Sequence, residues 1–339
     1  NQFLKWIAMR ILVFEFITGG GFNNNFLPHS LVQEGELMRL ALLLDLMAIP
    51  TIEVSLMHDP RLPLDKRMLD NQMVKIIPIT PQQDFWQVLA EQAPLCDAVW
   101  PIAPESEGVL QAISYWVEAS GLKLLGSSSE AVALTADKYR LFKRLEHQGI
   151  PLVKTYTFTE LDVLPSGPWV IKPRDGVGCE GIVRVNSVVD FKAVTDPEKF
   201  IIQPFEAGKL LSLSCLFKGG RGVLICMNEQ SIKQNEETFE LERITVNVNQ
   251  MTAEVPVLVE QLANIIPGLW GYVGIDLILS TEGLKVLEVN PRLTTSYSGI
   301  RCALGSNLGA SIIALLTGDI NFKAQCNQSI TIEIPREKR

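Results

Sequence analysis

The sequence predicts an α/β and α+β protein in which an N-terminal open parallel sheet is followed by a strand-rich body. Three observations carry that reading. Residues 10–125 alternate short apolar runs with helix-patterned stretches, the signature of a parallel sheet with helical crossovers. From Ser127 onward strand-like segments dominate. Within that second part, two neighbouring apolar strands carry Asp276, Glu288 and Asn290, and acids flanked by Val, Leu and Ile are costly to bury unpaired.

In the first part, residues 10–16, 51–56, 73–79, 98–102 and 123–125 read as strands, and 30–47, 85–92 and 107–119 as helices. Loops 18–25 and 103–107 follow strand ends, where open parallel sheets bind ligands. Gly19, Gly20, Gly21 and Glu105 in these loops, with Glu34 on the helix 30–47, are candidates for gripping a small-molecule substrate, each of them serving equally well as a turn or cap residue. The opening run 1–17 mixes Lys5, Arg10 and Glu15 with apolar residues and has no small-residue cleavage site, so it reads as a first strand and not as a secretory signal. Met9 is the expected native start, with residues 1–8 dispensable.

In the second part a helix is expected over 129–148, stopped by Gly149 and Pro151. Strands are expected at 153–158, 169–173, 181–185, 200–204, 211–217 and 222–227, then a polar stretch over 228–249. A helix at 255–265, strands at 272–279 and 284–289 and a helix at 307–316 complete the reading. The expected domains are 1–128, 129–205 and 206–325.

The composition, 47% hydrophobic and 20% charged over 339 residues, fits a globular protein. A net charge of -8 argues against nucleic acid as the main partner, because phosphate backbones are held by clustered Lys and Arg. The most apolar helix candidate, 37–49, contains Arg39 and Asp45 and is too short to span a bilayer. The expected partners are small molecules in a cytoplasmic setting, with homo-oligomerisation left open. Six cysteines without a CxxC pair, and three isolated histidines, are expected to be buried free thiols and non-ligating imidazoles.

Two segments carry chemistry. Lys172 stands at a strand end before a loop with Gly176, Gly178 and Gly181. Glycines let backbone N–H groups close on phosphate oxygens while a lysine adds a point charge, although a tight hairpin explains them as well. No GK[ST] follows, so it is not a Walker A loop. Glu288 and Asn290, two apart in an extended chain, face one side. With Asp276 they suit Mg²⁺, a hard cation that keeps several waters and bridges phosphates, with Mn²⁺ able to substitute. Arg292 lies just beyond, where its fork could hold a carboxylate or phosphoryl oxygen.

In order along the chain, Thr135-Ala-Asp-Lys138, Lys172 with its glycine loop, Ile201-Ile-Gln-Pro-Phe205 with Gly208, Gly274-Ile-Asp276 and Leu287-Glu-Val-Asn-Pro-Arg292 resemble the ATP-grasp family. The resemblance implies an ATP-grasp fold behind a pre-ATP-grasp sheet, with ATP and Mg²⁺ as cofactors. It implies that Lys138 and Lys172 hold ATP phosphates and that Gln203, Pro204 and Phe205 meet the adenine. Asp276, Glu288 and Asn290 would bind magnesium. Many members carry a ribose-binding Glu two residues after the hinge glycine, and here that position is Leu210.

A narrower resemblance covers both halves. Phe14-Glu-Phe-Ile-Thr-Gly-Gly-Gly-Phe22, Leu27-Pro-His-Ser-Leu-Val-Gln-Glu-Gly35, Ala103-Pro-Glu-Ser-Glu-Gly108 and Asn290-Pro-Arg-Leu-Thr-Thr-Ser-Tyr-Ser-Gly299 are similar to the tyramine-glutamate ligase group of methanofuran biosynthesis. That implies an amide formed between the glutamate γ-carboxylate and the tyramine amine through an acyl phosphate. Lys172 and Arg292 then become the catalytic candidates, with N–H groups near Thr294, Thr295 and Ser296 stabilising the oxyanion. The alternatives are another amino-acid or peptide ligase of the same type and a non-catalytic ATP-binding regulator. A nicotinamide oxidoreductase, suggested by Gly19-Gly-Gly21, lacks the GxGxxG spacing and leaves the acids unexplained.

Overall fold

A computed structural model describes residues 8–23, 25–177, 181–187, 191, 194–234, 239–248 and 252–334. The first sheet is built from β1 (Met9–Glu15), β2 (Ile52–His58), β3 (Val74–Pro78), β4 (Ala98–Ile102) and β5 (Lys123–Leu124), in the order β3-β2-β1-β4-β5. All its pairings are parallel. The crossovers carry α1 (His29–Met47), the short α2 (Lys66–Leu69), α3 (Phe85–Gln92) and α4 (Val109–Ala119). Consecutive residues of β1 serve opposite faces, which is why the strand is apolar without alternation. Ile11 and Val13 pack with Leu42 and Leu46 of α1, whereas Leu12 and Phe14 pack with Val88 of α3 and Ile113 of α4.

The expected helix at 107–119 begins later, at Val109. A 3-10 turn, Ser106–Gly108, precedes it, with Glu107 at φ 56° and Gly108 at φ 69°.

The single helix expected over 129–148 is instead two, α5 (Ser129–Ala136) and α6 (Lys138–Leu145). Asp137 breaks them by adopting extended backbone, and its carboxylate caps α6 by accepting from the N–H groups of Tyr139 and Arg140. The strand expected over 153–158 is also absent. Isolated bridges of Leu152 to Val286 and Tyr156 to Ile202 stand in its place, and a 3-10 turn, Phe158–Val163, follows behind a Thr157/Glu160 capping box.

A small antiparallel sheet, order β7-β6-β8, comprises β6 (Trp169–Pro173), β7 (Val183–Val185) and β8 (Phe200–Pro204). The larger sheet contains β9 (Lys209–Lys218), β10 (Arg221–Gln234), β11 (Phe239–Val246), β12 (Gly271–Ser280) and β13 (Gly283–Asn290). The polar stretch 228–249 is thus mostly strand, because β10 runs on to Gln234 and pairs antiparallel with β11. Helix α7 (Glu254–Ile265) covers one face, setting Val255, Val259 and Leu262 against Leu211, Leu213 and Phe217 of β9. Beyond β13, α8 (Tyr297–Leu304) and α9 (Leu308–Ala314) pack on α1, and β14 (Ile330–Glu333) closes the sheet in the order β13-β12-β9-β10-β11-β14. Neither α8 nor β14 was expected. No helix among the described residues is long and apolar enough to cross a membrane.

Candidate functional site

Where the two antiparallel sheets meet there is a cavity of about 550 Å³, lined among others by Lys172, Gln203, Phe205, Leu210, Asp276 and Glu288. Lys172 reaches it from the end of β6 and is 6% exposed. Gln203 and Pro204 end β8, and the chain then turns into β9 through Gly208. A Cβ at Gly208 would stand 2.5 Å from the carbonyl oxygen of Leu279, so only glycine lets this connection lie against β12. Buried Gln203 is fixed by donating from Nε2 to Thr155 Oγ1 at 2.9 Å. The Arg184 guanidinium lies 4.0 Å over the Phe205 ring, close enough for a cation–π contact.

The acids lie at the inner end of this cavity. Asp276 and Glu288 pair in register across β12 and β13. Asp276 accepts from Asn290 Nδ2 and from Gln230 Nε2, each at 3.0 Å. Lys138 Nζ stands 3.2 Å from Glu288 Oε2 and donates to the Gly176 carbonyl at 2.6 Å. Burial and the adjacent Glu288 charge push the Asp276 carboxyl well up. Burial also acts to raise Glu288, but the Lys138 and Lys172 ammonium groups outweigh it and hold this carboxyl low. Two carboxylates this close repel each other, and a divalent cation between them would relieve that repulsion. Among the described residues no group of three or more His, Cys, Asp or Glu gathers to hold a metal, here or elsewhere, so Asn290 is the third oxygen this site offers. Two carboxylates and an amide oxygen suit a cation that retains water.

In the glycine loop, Gly181 has φ +70° and a Cβ at Gly176 would come within 3.0 Å of Pro173. Gly178 lies outside the described residues.

Arg292 is drawn to the N-terminal sheet. Its Nε and Nη2 both reach Glu105 Oε2 at 2.9 Å, and Nη1 donates to the Leu293 carbonyl. Glu105 Oε1 is buried without a partner among the described residues. Thr295 Oγ1 donates to Glu34 Oε2 at 3.0 Å. Thr294 and Ser296 share their hydroxyls with Tyr272 OH at 2.9 and 3.2 Å, and Ser214 Oγ joins it at 2.9 Å. Burial pushes the Tyr272 phenol up to about 12, so it stays protonated as the hub of this network.

A second cavity of about 550 Å³ opens here, lined among others by Gly21, Glu34, Val177 and Arg292. Gly19 and Gly20 are placed differently. A Cβ on Gly19 would meet the Glu15 carbonyl at 2.4 Å, and Gly20, at φ +95°, packs on Ile79, so these two shape the turn.

Residues far apart in sequence thus come together as two adjoining clusters. Thr155, Gln230 and Tyr272 are the site residues that a reading of the sequence misses. Gln230 sits in the polar stretch 228–249, to which the sequence assigns no strand, and the Tyr272 hydroxyl finds its partners only across strands. The described cysteines are free, as expected, although Cys302 is exposed and only Cys215 and Cys226 are fully buried.

Comparison with known proteins identifies the domains that carry these residues. Residues 135–296 match an ATP-grasp domain and residues 52–132 a pre ATP-grasp 3 domain. The chain is 26% identical over 301 residues to the tyramine–L-glutamate ligase of Methanocaldococcus jannaschii, covering 87% of this chain and 86% of that protein. It is 29% identical over 293 residues to the tyramine–L-glutamate ligase of Methanocaldococcus fervens, covering 86% and 89%. The crystal structure of an ATP-grasp superfamily protein from Archaeoglobus fulgidus superposes with a TM-score of 0.72 at 23% identity, over 96% of this chain and 92% of that one. The expected fold, an N-terminal parallel sheet followed by an ATP-grasp body, is the observed one.

Proposed function

We propose that this chain, which belongs to the ATP-grasp superfamily as a carboxylate–amine ligase, joins the γ-carboxylate of L-glutamate to the amine of tyramine. The observation that carries the reading is the adjacency of the two cavities along the glycine loop. Lys172 and Ile182, at either end of that loop, line the acid-bearing cavity, while Val177 lines the cavity that holds Arg292. Asp175 pins the loop to the N-terminal domain by accepting from the Glu107 N–H at 2.9 Å. A nucleotide in the first cavity and a carboxylate in the second would meet under one loop. The names of the relatives supply the choice of glutamate and tyramine.

The chain's own groups divide the work. Gln203, Pro204 and Phe205 would take the base, and Lys138 and Lys172 the phosphates. Asp276, Glu288 and Asn290 would hold Mg²⁺, which supplies charge neutralisation along the phosphates. Arg292 presents the substrate carboxylate to the γ-phosphoryl group, and its planar fork fixes the approach. The product of that step is an acyl phosphate, and amine attack on its carbonyl carbon forms the amide as phosphate leaves. In this reading the backbone N–H groups at Thr294 to Ser296 would stabilise the oxyanion. No protein nucleophile is needed.

The test is phosphate release with MgATP across a panel of carboxylates and amines, with products identified by mass. Release that needs both L-glutamate and tyramine, with the γ-linked amide as product, supports the reading. Turnover with other pairs but never with this one leaves a ligase and removes the substrate assignment.

A further inference from the structure

The second cavity differs in character from the first. Phe16 and Phe22, whose rings meet edge to face at 5.8 Å, line it together with Leu31 and Met38 of α1. Glu34 lies between Leu31 and Met38 at helical spacing and so on the same face of α1. It is a carboxylate set into an apolar, aromatic-sized wall. Its Oε2 accepts from Thr295, and Oε1 has no hydrogen bond among the described residues. The other acid of the cluster, Glu105, gives one oxygen to Arg292, and its buried Oε1 has no partner among the described residues. Glu34 and Glu105 against Arg292 leave one negative charge in excess. Glu15, which also lines the cavity, is committed to the Ile17 and Thr18 N–H groups and to Arg39, and Glu107 adds a further acid. An excess negative charge beside an apolar pocket is complementary to a cation with an apolar body.

We propose that this cavity is the amine subsite and that Glu34 takes the ammonium of a primary arylalkyl amine and accepts its proton. The inference rests on the ligase reading and adds to it the residue that selects and activates the nucleophile. Burial pushes the Glu34 carboxyl up, which makes it a stronger proton acceptor. The step balances as follows. The ammonium gives one proton to the Glu34 carboxylate and becomes a neutral amine. Its lone pair forms the C–N bond at the acyl-phosphate carbon, the C–O bond to the phosphoryl group breaks, and the departing phosphate takes the second proton. Arg292 lines the same cavity, so the carboxylate it holds and the amine at Glu34 share one space.

The experiment compares two nucleophiles under one activation step. Tyramine is charged at neutral pH and fills the pocket, whereas hydroxylamine is small and mostly uncharged. In Glu34→Gln, which keeps an acceptor for Thr295, kcat/KM with tyramine should fall about 100-fold or more relative to kcat/KM with hydroxylamine. Leu31→Trp, which fills the pocket without touching charge, should lower tyramine and phenethylamine use about tenfold relative to hydroxylamine. Equal losses with both nucleophiles in Glu34→Gln would mean that Glu34 only holds Thr295 in place, and would overturn the proposal. So would tyramine use that Leu31→Trp leaves in step with hydroxylamine. If the wild-type enzyme forms neither the hydroxamate nor the tyramine amide, the ligase reading itself fails, and the proposal with it.

Discussion

Lys138 Nζ stands 3.2 Å from Glu288 Oε2 and 2.6 Å from the carbonyl of Gly176, so one ammonium ties the first turn of α6 to an acid of β13 and to the glycine loop. It supplies part of the positive charge that a divalent cation would bring to Asp276 and Glu288. Lys138→Met should therefore destabilise the metal-free protein by about 1–3 kcal/mol, less than a fully buried pair would cost because Lys138 and Glu288 are 9% and 16% exposed. Excess Mg²⁺ should raise the melting temperature of the variant more than that of the wild type. Thermal melts with and without Mg²⁺ check this, and equal shifts would count against a cation at these acids.

Arg292→Lys keeps the charge and loses the fork that now spans Glu105. Turnover should fall about 100-fold, because orientation of the carboxylate is lost. Affinity for MgATP should change by less than about threefold, since Arg292 lines the other cavity. Steady-state kinetics beside calorimetric nucleotide binding separates the two effects. A parallel loss of nucleotide affinity would place Arg292 on the phosphates instead.

How much of this was legible in the sequence depends on distance along the chain. Lys172, Gln203, Asp276 and Glu288 sit on strands whose apolar runs announce them, and they do line one cavity. The parallel sheet was equally legible, since both faces of β1 are buried and its apolar run is unbroken. The break at Asp137 was not, because the periodicity continues across it. What stops the helix there is a side-chain cap that Arg174, 37 residues away, also holds. Residues 228–234 were missed because half-buried β10 presents Gln230 to a site formed by other strands. The meeting of Glu34 with Thr295, 261 residues apart, could only be inferred by resemblance.

Leu210 lines the cavity proposed for the nucleotide and offers no acceptor for ribose hydroxyls. Discrimination between ATP and 2'-deoxy-ATP in kcat/KM should therefore stay below roughly 100-fold, on the order of 3 kcal/mol. A larger preference would show that another residue lining the cavity, such as Glu206 or Glu229, reads the ribose.

His58 is buried beside Arg39, whose Nη1 lies 3.1 Å from Nδ1. Burial, helped by the Arg39 charge and opposed by Asp59, lowers this imidazole to about 4. Unfolded histidine titrates near 6.5, so between the two values only the unfolded chain takes up the proton. Stability should decline as pH falls through that window, and this contribution should level off below it. His58→Asn, which retains an acceptor for Arg39, should make the slope shallower by up to about 1.4 kcal/mol per pH unit. Denaturant midpoints measured between pH 7 and pH 4.5 decide it, and superimposable pH profiles would mean that His58 is protonated in the fold.

In the proposed reaction a substrate carboxylate is activated as an acyl phosphate in the space between Arg292 and the glycine loop. Oxygen-18 in the γ-carboxylate of L-glutamate tests it directly, by mass analysis of the products formed with MgATP and tyramine. An acyl phosphate requires the label to appear in inorganic phosphate, one atom for each amide formed. Label found in AMP, or retained wholly in the amide and unreacted glutamate while phosphate stays unlabelled, would contradict it.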